Sequence, residues 1–307
     1  MPGSSAASAA ADRWRVTRTL LVHLRLHFQL LLAPVFLWGW LVAVHEHPVP
    51  GERVTRAVVL AFVSLHVFLY GGATAFNSYY DRDEGPIGGL EHPPRTVPAL
   101  LPFALAVKLA GLVLAALVNT SFLAIAVLLL LLSVAYSRPW PRLKARPWGS
   151  IAAVGLGQGV LVYVAAWTAV RGDVLSVLHP VGLSGALAAA AFIVGVYPLT
   201  QLFQIDEDRA RGDRTVAVAW GARTCFAISL ACQLAGALAM LPILGRLFGP
   251  ADVVLVGTGL LAQLSFVAWW AIRFDAARTL ANYRLVMRLN TAGAAGLGLY
   301  LLVRGLG

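Results

Sequence analysis

Asn77 and Asp81 stand four residues apart in the stretch FNSYYDRDEGPIGG, residues 76–89, and Glu84 follows three residues later. On a helix the three share one face. A second stretch, YPLTQLFQIDEDRARGDRT, repeats the spacing with Gln204 and Asp208, with Tyr197 and Gln201 near the same face further up. Two helix ends that each present oxygen ligands on one stripe suit Mg²⁺, which keeps several waters and favours a few carboxylates plus substrate phosphates. Arg and Lys crowd the same segments. Carboxylates alone would repel a diphosphate, and arginines alone would leave the acids unexplained; both together describe a metal–diphosphate site. The same residue types also occur in membrane loops as a solvated, mutually screened surface, in which Asp81 and Asp208 would simply pair with neighbours such as Arg82 and Arg209.

The elements that must carry these residues are membrane helices. Of 307 residues 59% are hydrophobic and only 12% charged, with a mean hydropathy of +0.76, whereas a soluble domain is about a quarter charged. Apolar windows of the roughly 20 residues a spanning helix needs recur along the chain. Nine spans are expected, near 26–44, 55–79, 97–118, 121–136, 150–170, 181–203, 222–243, 251–272 and 285–304. The predicted fold is an all-α polytopic bundle around a central cavity, with a disordered cytoplasmic tail over 1–20 and a single transmembrane domain over 21–307. Cys225 and Cys232 read as packing residues, without a metal or disulfide pattern around them.

A net charge of +10 would suggest nucleic acid in a soluble protein. Here the basic residues fall in short links. Counting by alternation, 18 of the 24 Lys and Arg lie on the side of the N-terminal tail, five lie on the other, and Lys108 sits inside the third span. That bias implies the lipid bilayer rather than nucleic acid as the partner, and an N-terminus in the cytoplasm. Eight of the 14 acids lie on this same basic side, after spans 2 and 6.

With these features the chain resembles the UbiA superfamily of intramembrane prenyltransferases, which have nine helices and two Asp-rich motifs after helices 2 and 6. NSYYDRDEG matches the first motif with Asn77 and Asp81, and QIDEDRARGDRT the second with Asp208, Gly212, Arg214 and Thr215. AYSRPWPRLKARPWGSIAAVGLGQG resembles the family's Tyr-then-Arg-Leu-Lys segment and glycine-rich fifth helix. Arg25 and Arg95 fall where the family carries cations. Two positions depart: Gly85 stands in place of the second Asp of motif one, and Gln204 in place of the first Asp of motif two.

The Ala-, Leu- and Arg-heavy composition points to a bacterial cytoplasmic membrane. The resemblance implies an integral membrane enzyme with its active site facing the cytoplasm. It would use Mg²⁺ to transfer a prenyl group from a prenyl diphosphate to an aromatic or other lipophilic acceptor. Asp81 and Asp208 would hold the metal, with Asn77, Gln204, Glu84 and Asp206 as supporting oxygen ligands. Arg25, Arg95, Arg142, Lys144 and Arg214 would bind the diphosphate, and Tyr136 and Tyr197 would contact the substrate cation. A terpene cyclase of the same architecture and a non-catalytic prenyl-lipid binder or transporter are the alternatives.

Overall fold

Burying backbone amides in lipid forces each apolar stretch to satisfy its own hydrogen bonds, so each becomes a helix. In the computed structural model, which describes residues 3–46 and 53–307 and their side chains from residue 11 onward, eight helices are long and apolar enough to cross a membrane. They are α1 (Ala11–Glu46), α2 (Arg56–Asp81), α4 (Thr120–Ser137), α5 (Pro147–Arg171), α6 (Pro180–Gln201), α7 (Val216–Phe248), α8 (Pro250–Arg273) and α9 (Thr279–Leu306). A ninth, α3 (Leu100–Ala116), is apolar but shorter. The nine spans read from hydropathy therefore all reappear. Where a disordered tail is expected, Met1 and Pro2 lie outside the described residues and Gly3–His23 is helical. Alanine is the best helix former, and this segment is rich in it.

The helices close around a cavity. α1 packs on α5 and α9, α5 on α6, α6 on α7, and α7 on α8. Wide π-helical turns interrupt α2 at Ser64–Leu69 and α5 at Gly155–Val160, and side-chain hydrogen bonds link these turns to neighbouring helices. Ser64 Oγ donates to the Gly111 carbonyl at 2.8 Å, and Tyr70 Oη to the Gly157 carbonyl at 3.2 Å, tying α2 to α3 and to α5. His66 is buried with Nδ1 against the Phe62 carbonyl and its ring stacked on Phe62. Gly221 (φ 79) kinks α7 at the residue before its expected start.

Lys108 is 1% exposed in α3. Its Nζ donates to Ser133 Oγ at 2.9 Å and lies 4.1 Å over the Phe76 ring. Its stem packs against α2 at Gly72. Neither partner is a carboxylate, so the ammonium costs more in this place than an apolar side chain would. Lys108→Met should keep the packing and raise the thermal midpoint, by roughly 2–4 °C for each kcal/mol gained. A lower midpoint in detergent would mean that the charge itself holds α2, α3 and α4 together.

Candidate active site

α2 stops at Asp81 because Arg82 turns into the left-handed region (φ 53). Three non-glycine residues among those described take positive φ, and all are arginines at this one end: Arg25 (φ 47), Arg82 and Arg142 (φ 47). Such backbone is costly for any residue with a Cβ and gathers where the surroundings enforce it. Arg25 breaks α1 and so reaches inward, with Nη2 donating to Ser78 Oγ at 2.5 Å and Nη1 to the Gly88 carbonyl at 3.4 Å. Its Nε is sealed from solvent without a hydrogen-bond partner, and it makes no ion pair among the described residues.

The second acidic stretch is broken where a continuous helix is expected. Pro198, lacking an amide proton, sits in a tight 3₁₀ turn, Tyr197–Gln201, and the chain restarts as a short helix, Ile205–Arg211. Gln204 and Asp208 keep their spacing, since the Asp208 amide donates to the Gln204 carbonyl at 2.8 Å. Gln201 turns away and accepts the Ala217 amide at 3.2 Å. Gly212 (φ 80) ends the short helix in a conformation only glycine takes cheaply, and so brings Asp213 back beside Asp208.

Four carboxylates converge where the two stretches meet. Asp81, Asp83, Asp208 and Asp213 have side chains only 3–8% exposed, and each is held by a protein cation. Lys144 grips Asp81 and also donates to Asn77 Oδ1 at 3.3 Å. Arg142 binds Asp213 through two nitrogens at 2.7 and 2.8 Å and reaches Asp81 at 3.4 Å. Arg211 spans both loops, with Nη1 on Asp83 at 2.5 Å, Nη2 on Asp208 at 2.6 Å and Nε on Asp213 at 2.8 Å. Burial pushes the Asp208 carboxyl up to about 6 against the pull of Arg211. Burial pushes Asp213 the same way, but its two guanidinium partners outweigh it and hold the carboxyl below its ordinary value.

Beyond this polar mouth lies a cavity of about 1270 Å³. Arg25, Asn77, Tyr136, Tyr197 and Gln204 line it near the carboxylates, and its walls include Leu129, Phe192, Met240 and Phe266. The Tyr136 and Tyr197 hydroxyls share a hydrogen bond of 3.0 Å. A smaller pocket of about 570 Å³ opens between the two acidic loops, beside Asp81, Glu84, Gly85, Glu207 and Arg211.

Of the residues singled out from the sequence, Asn77, Asp81, Asp208, Arg142 and Lys144 come together, with Arg25, Tyr136, Tyr197 and Gln204 on the adjoining cavity. Glu84, Asp206, Arg95 and Arg214 are exposed at the rim, and Asp206 pairs there with Arg209. Arg211, Asp213 and Glu207 were not singled out. The i, i+3 spacing of Asp208 and Arg211 and the glycine before Asp213 were the available signals. Glu207 crosses to the first loop, where Oε1 accepts the Glu84 amide at 2.9 Å. Its Oε2 lies 2.9 Å from where a Cβ on Gly85 would stand, so this carboxylate fills part of the space an aspartate there would take.

Among the described residues no three His, Cys, Asp or Glu side chains form a ready metal cage. The donor set is nonetheless hard oxygen throughout: carboxylates at facing helix ends and the amide oxygens of Asn77 and Gln204. It fits an ion that takes one or two protein carboxylates and fills its shell with water and substrate phosphate.

The described residues form a helical membrane bundle with a buried ionic mouth over an apolar cavity. The chain belongs to the UbiA prenyltransferase family, whose sequence model matches residues 31–291. Members of that family are intramembrane prenyltransferases. No curated protein sequence matches the chain significantly. Among solved structures it is similar to a UbiA homologue from Archaeoglobus fulgidus bound to DMAPP and Mg²⁺ (TM-score 0.60, 18% identity, 89% of this chain and 99% of that one). It is similar also to the apo form of a UbiA homologue from Aeropyrum pernix K1 (TM-score 0.64, 18% identity, 88% and 97%). A structure described in work on digeranylgeranylglyceryl phosphate synthase matches too (TM-score 0.63, 15% identity, 95% and 99%).

Proposed function

We propose that this chain transfers a prenyl group from a prenyl diphosphate to an aromatic or other lipophilic acceptor within the membrane, with Mg²⁺ at the diphosphate. The observation that carries this reading is the meeting of two acidic helix ends with Arg142, Lys144 and Arg211 at the mouth of an apolar cavity. The similar UbiA homologue bound to DMAPP and Mg²⁺ supports the substrate class.

The prenyl tail lies in the apolar cavity and the diphosphate between the helix ends. Asp81 and Asp208 hold the metal, with Asn77 and Gln204 beside them and Glu84 and Asp206 at the rim as further oxygen donors. Mg²⁺, when bound, supplies neutralisation of the charge that builds on the phosphate oxygens as the carbon–oxygen bond breaks. Arg25 brings a guanidinium without a carboxylate partner, and its sealed Nε–H is a donor waiting for an acceptor. Arg142 and Lys144 approach from the α4–α5 link, and Arg95 and Arg214 attract the anion from the rim. The Tyr136–Tyr197 pair faces the allylic end of the tail, where ring faces stabilise the developing cation. Dry walls keep water from that cation until the acceptor captures it. The excess of Arg and Lys at this end supports a site and N-terminus facing the cytoplasm.

Mass spectrometry of lipids formed from geranylgeranyl diphosphate and Mg²⁺ tests the reaction type. A prenylated product that appears only when a membrane extract supplies the acceptor is the expected result. A cyclised hydrocarbon formed without extract would make the chain a terpene cyclase instead.

A further inference from the structure

Among the described residues, Arg211 is the one side chain that touches both acidic loops through three carboxylates. Nη1 reaches Asp83 and, at 3.3 Å, the Asp81 carbonyl; Nη2 reaches Asp208, and Nε reaches Asp213. The side chain is 20% exposed and belongs to the short helix Ile205–Arg211. We propose that Arg211 is a tethered counter-ion that holds the acidic loops together before substrate arrives, and that its bond to Asp208 competes with a divalent cation for the same oxygen. The inference rests on the metal–diphosphate reading and adds to it the residue that sets the site's affinity for metal.

Charge and space both lead there. Four buried carboxylates face one another with Arg142, Lys144 and Arg211 among them, which leaves the cluster one negative charge. Without Arg211 it carries two, and attraction for a divalent ion grows in proportion. Mg²⁺ sits about 2.0–2.1 Å from its oxygens, while Arg211 Nη2 already stands 2.6 Å from Asp208 Oδ1. Two cations on one oxygen repel each other, so each weakens the hold of the other. Arg211 has somewhere to go, because Asp83 and Asp213 retain it when Asp208 is given up. Its planar fork of five donors suits this double engagement, whereas the compact ammonium of a lysine does not.

Mn²⁺ titrated into purified protein and followed by electron paramagnetic resonance reads the affinity without any turnover. The wild type, Arg211→Gln and a control, Arg278→Gln, would be compared in the presence of inorganic diphosphate. Arg278 is exposed and meets only Asp275, at 3.4 Å. Arg211→Gln should bind Mn²⁺ about tenfold tighter or more, and Arg278→Gln like the wild type. Equal or weaker binding by a folded Arg211→Gln protein overturns the proposal while leaving the metal reading intact. If that variant does not fold, Arg211→Met serves, since it fills similar space without the charge: it should also bind Mn²⁺ about tenfold tighter than the wild type, and unchanged affinity overturns the proposal. Should no form bind Mn²⁺, the metal–diphosphate reading itself falls, and this inference with it.

Discussion

Asp81→Asn is expected to lower diphosphate release from a prenyl diphosphate by about a hundredfold or more, and Asp208→Asn by a similar factor. Removing one preorganised electrostatic group from a buried site typically costs that much. The substitution keeps the shape of the side chain and removes its charge. At Asp81 it leaves Lys144 and Arg142 without the carboxylate that draws them toward the end of α2. At Asp208 it leaves Arg211 on Asp83 and Asp213 alone. The apolar cavity is untouched in both variants, so the tail should still bind. Release measured at saturating substrate, with the thermal midpoint as a control for folding, separates lost chemistry from lost structure. A variant that is folded and within a few fold of the wild type would remove that carboxylate from the mechanism.

Asp213→Ala has the second large expected effect, and it falls on stability first. This carboxylate is 4% exposed and stands between two guanidiniums, taking two bonds from Arg142 and one from Arg211. Its loss leaves two half-buried cations facing each other without the anion that joins them. Breaking a buried pair by removing one partner costs about 3 kcal/mol or more, or roughly 10 °C in thermal midpoint. Arg142 joins the α4–α5 link to this loop and Arg211 joins it to the end of α2, so the three segments should loosen together. A midpoint within about 2 °C of the wild type would show that Asp213 is not their keystone.

The fold was legible because hydropathy is a strong signal in a chain that is 59% apolar. Even the kink at Gly221 fell where the apolar run begins. The two acidic stretches were legible as well, because Asn77, Asp81, Gln204 and Asp208 carry a helical spacing at the ends of two spans. What periodicity could not reach were the turns. Pro198 breaks the second stretch and swings Gln201 toward α7, and the left-handed arginines Arg25 and Arg142 aim their side chains by backbone geometry rather than by spacing. Arg211 and Asp213 were hidden for a related reason. In a basic link such as DRARGDRT any arginine looks like part of a solvated surface until the glycine turn folds the segment back on itself.

Both readings, of catalysis and of the ionic cluster behind it, meet in a single measurement: diphosphate release by the purified wild-type protein given geranyl, farnesyl or geranylgeranyl diphosphate and a membrane extract that supplies the acceptor, with Mg²⁺ and again with EDTA. Release that proceeds with Mg²⁺ and stops with EDTA is the predicted result. Tight binding of these diphosphates with no release in either condition, even when a membrane extract supplies an acceptor, would contradict it and make this chain a binder of prenyl lipids rather than an enzyme.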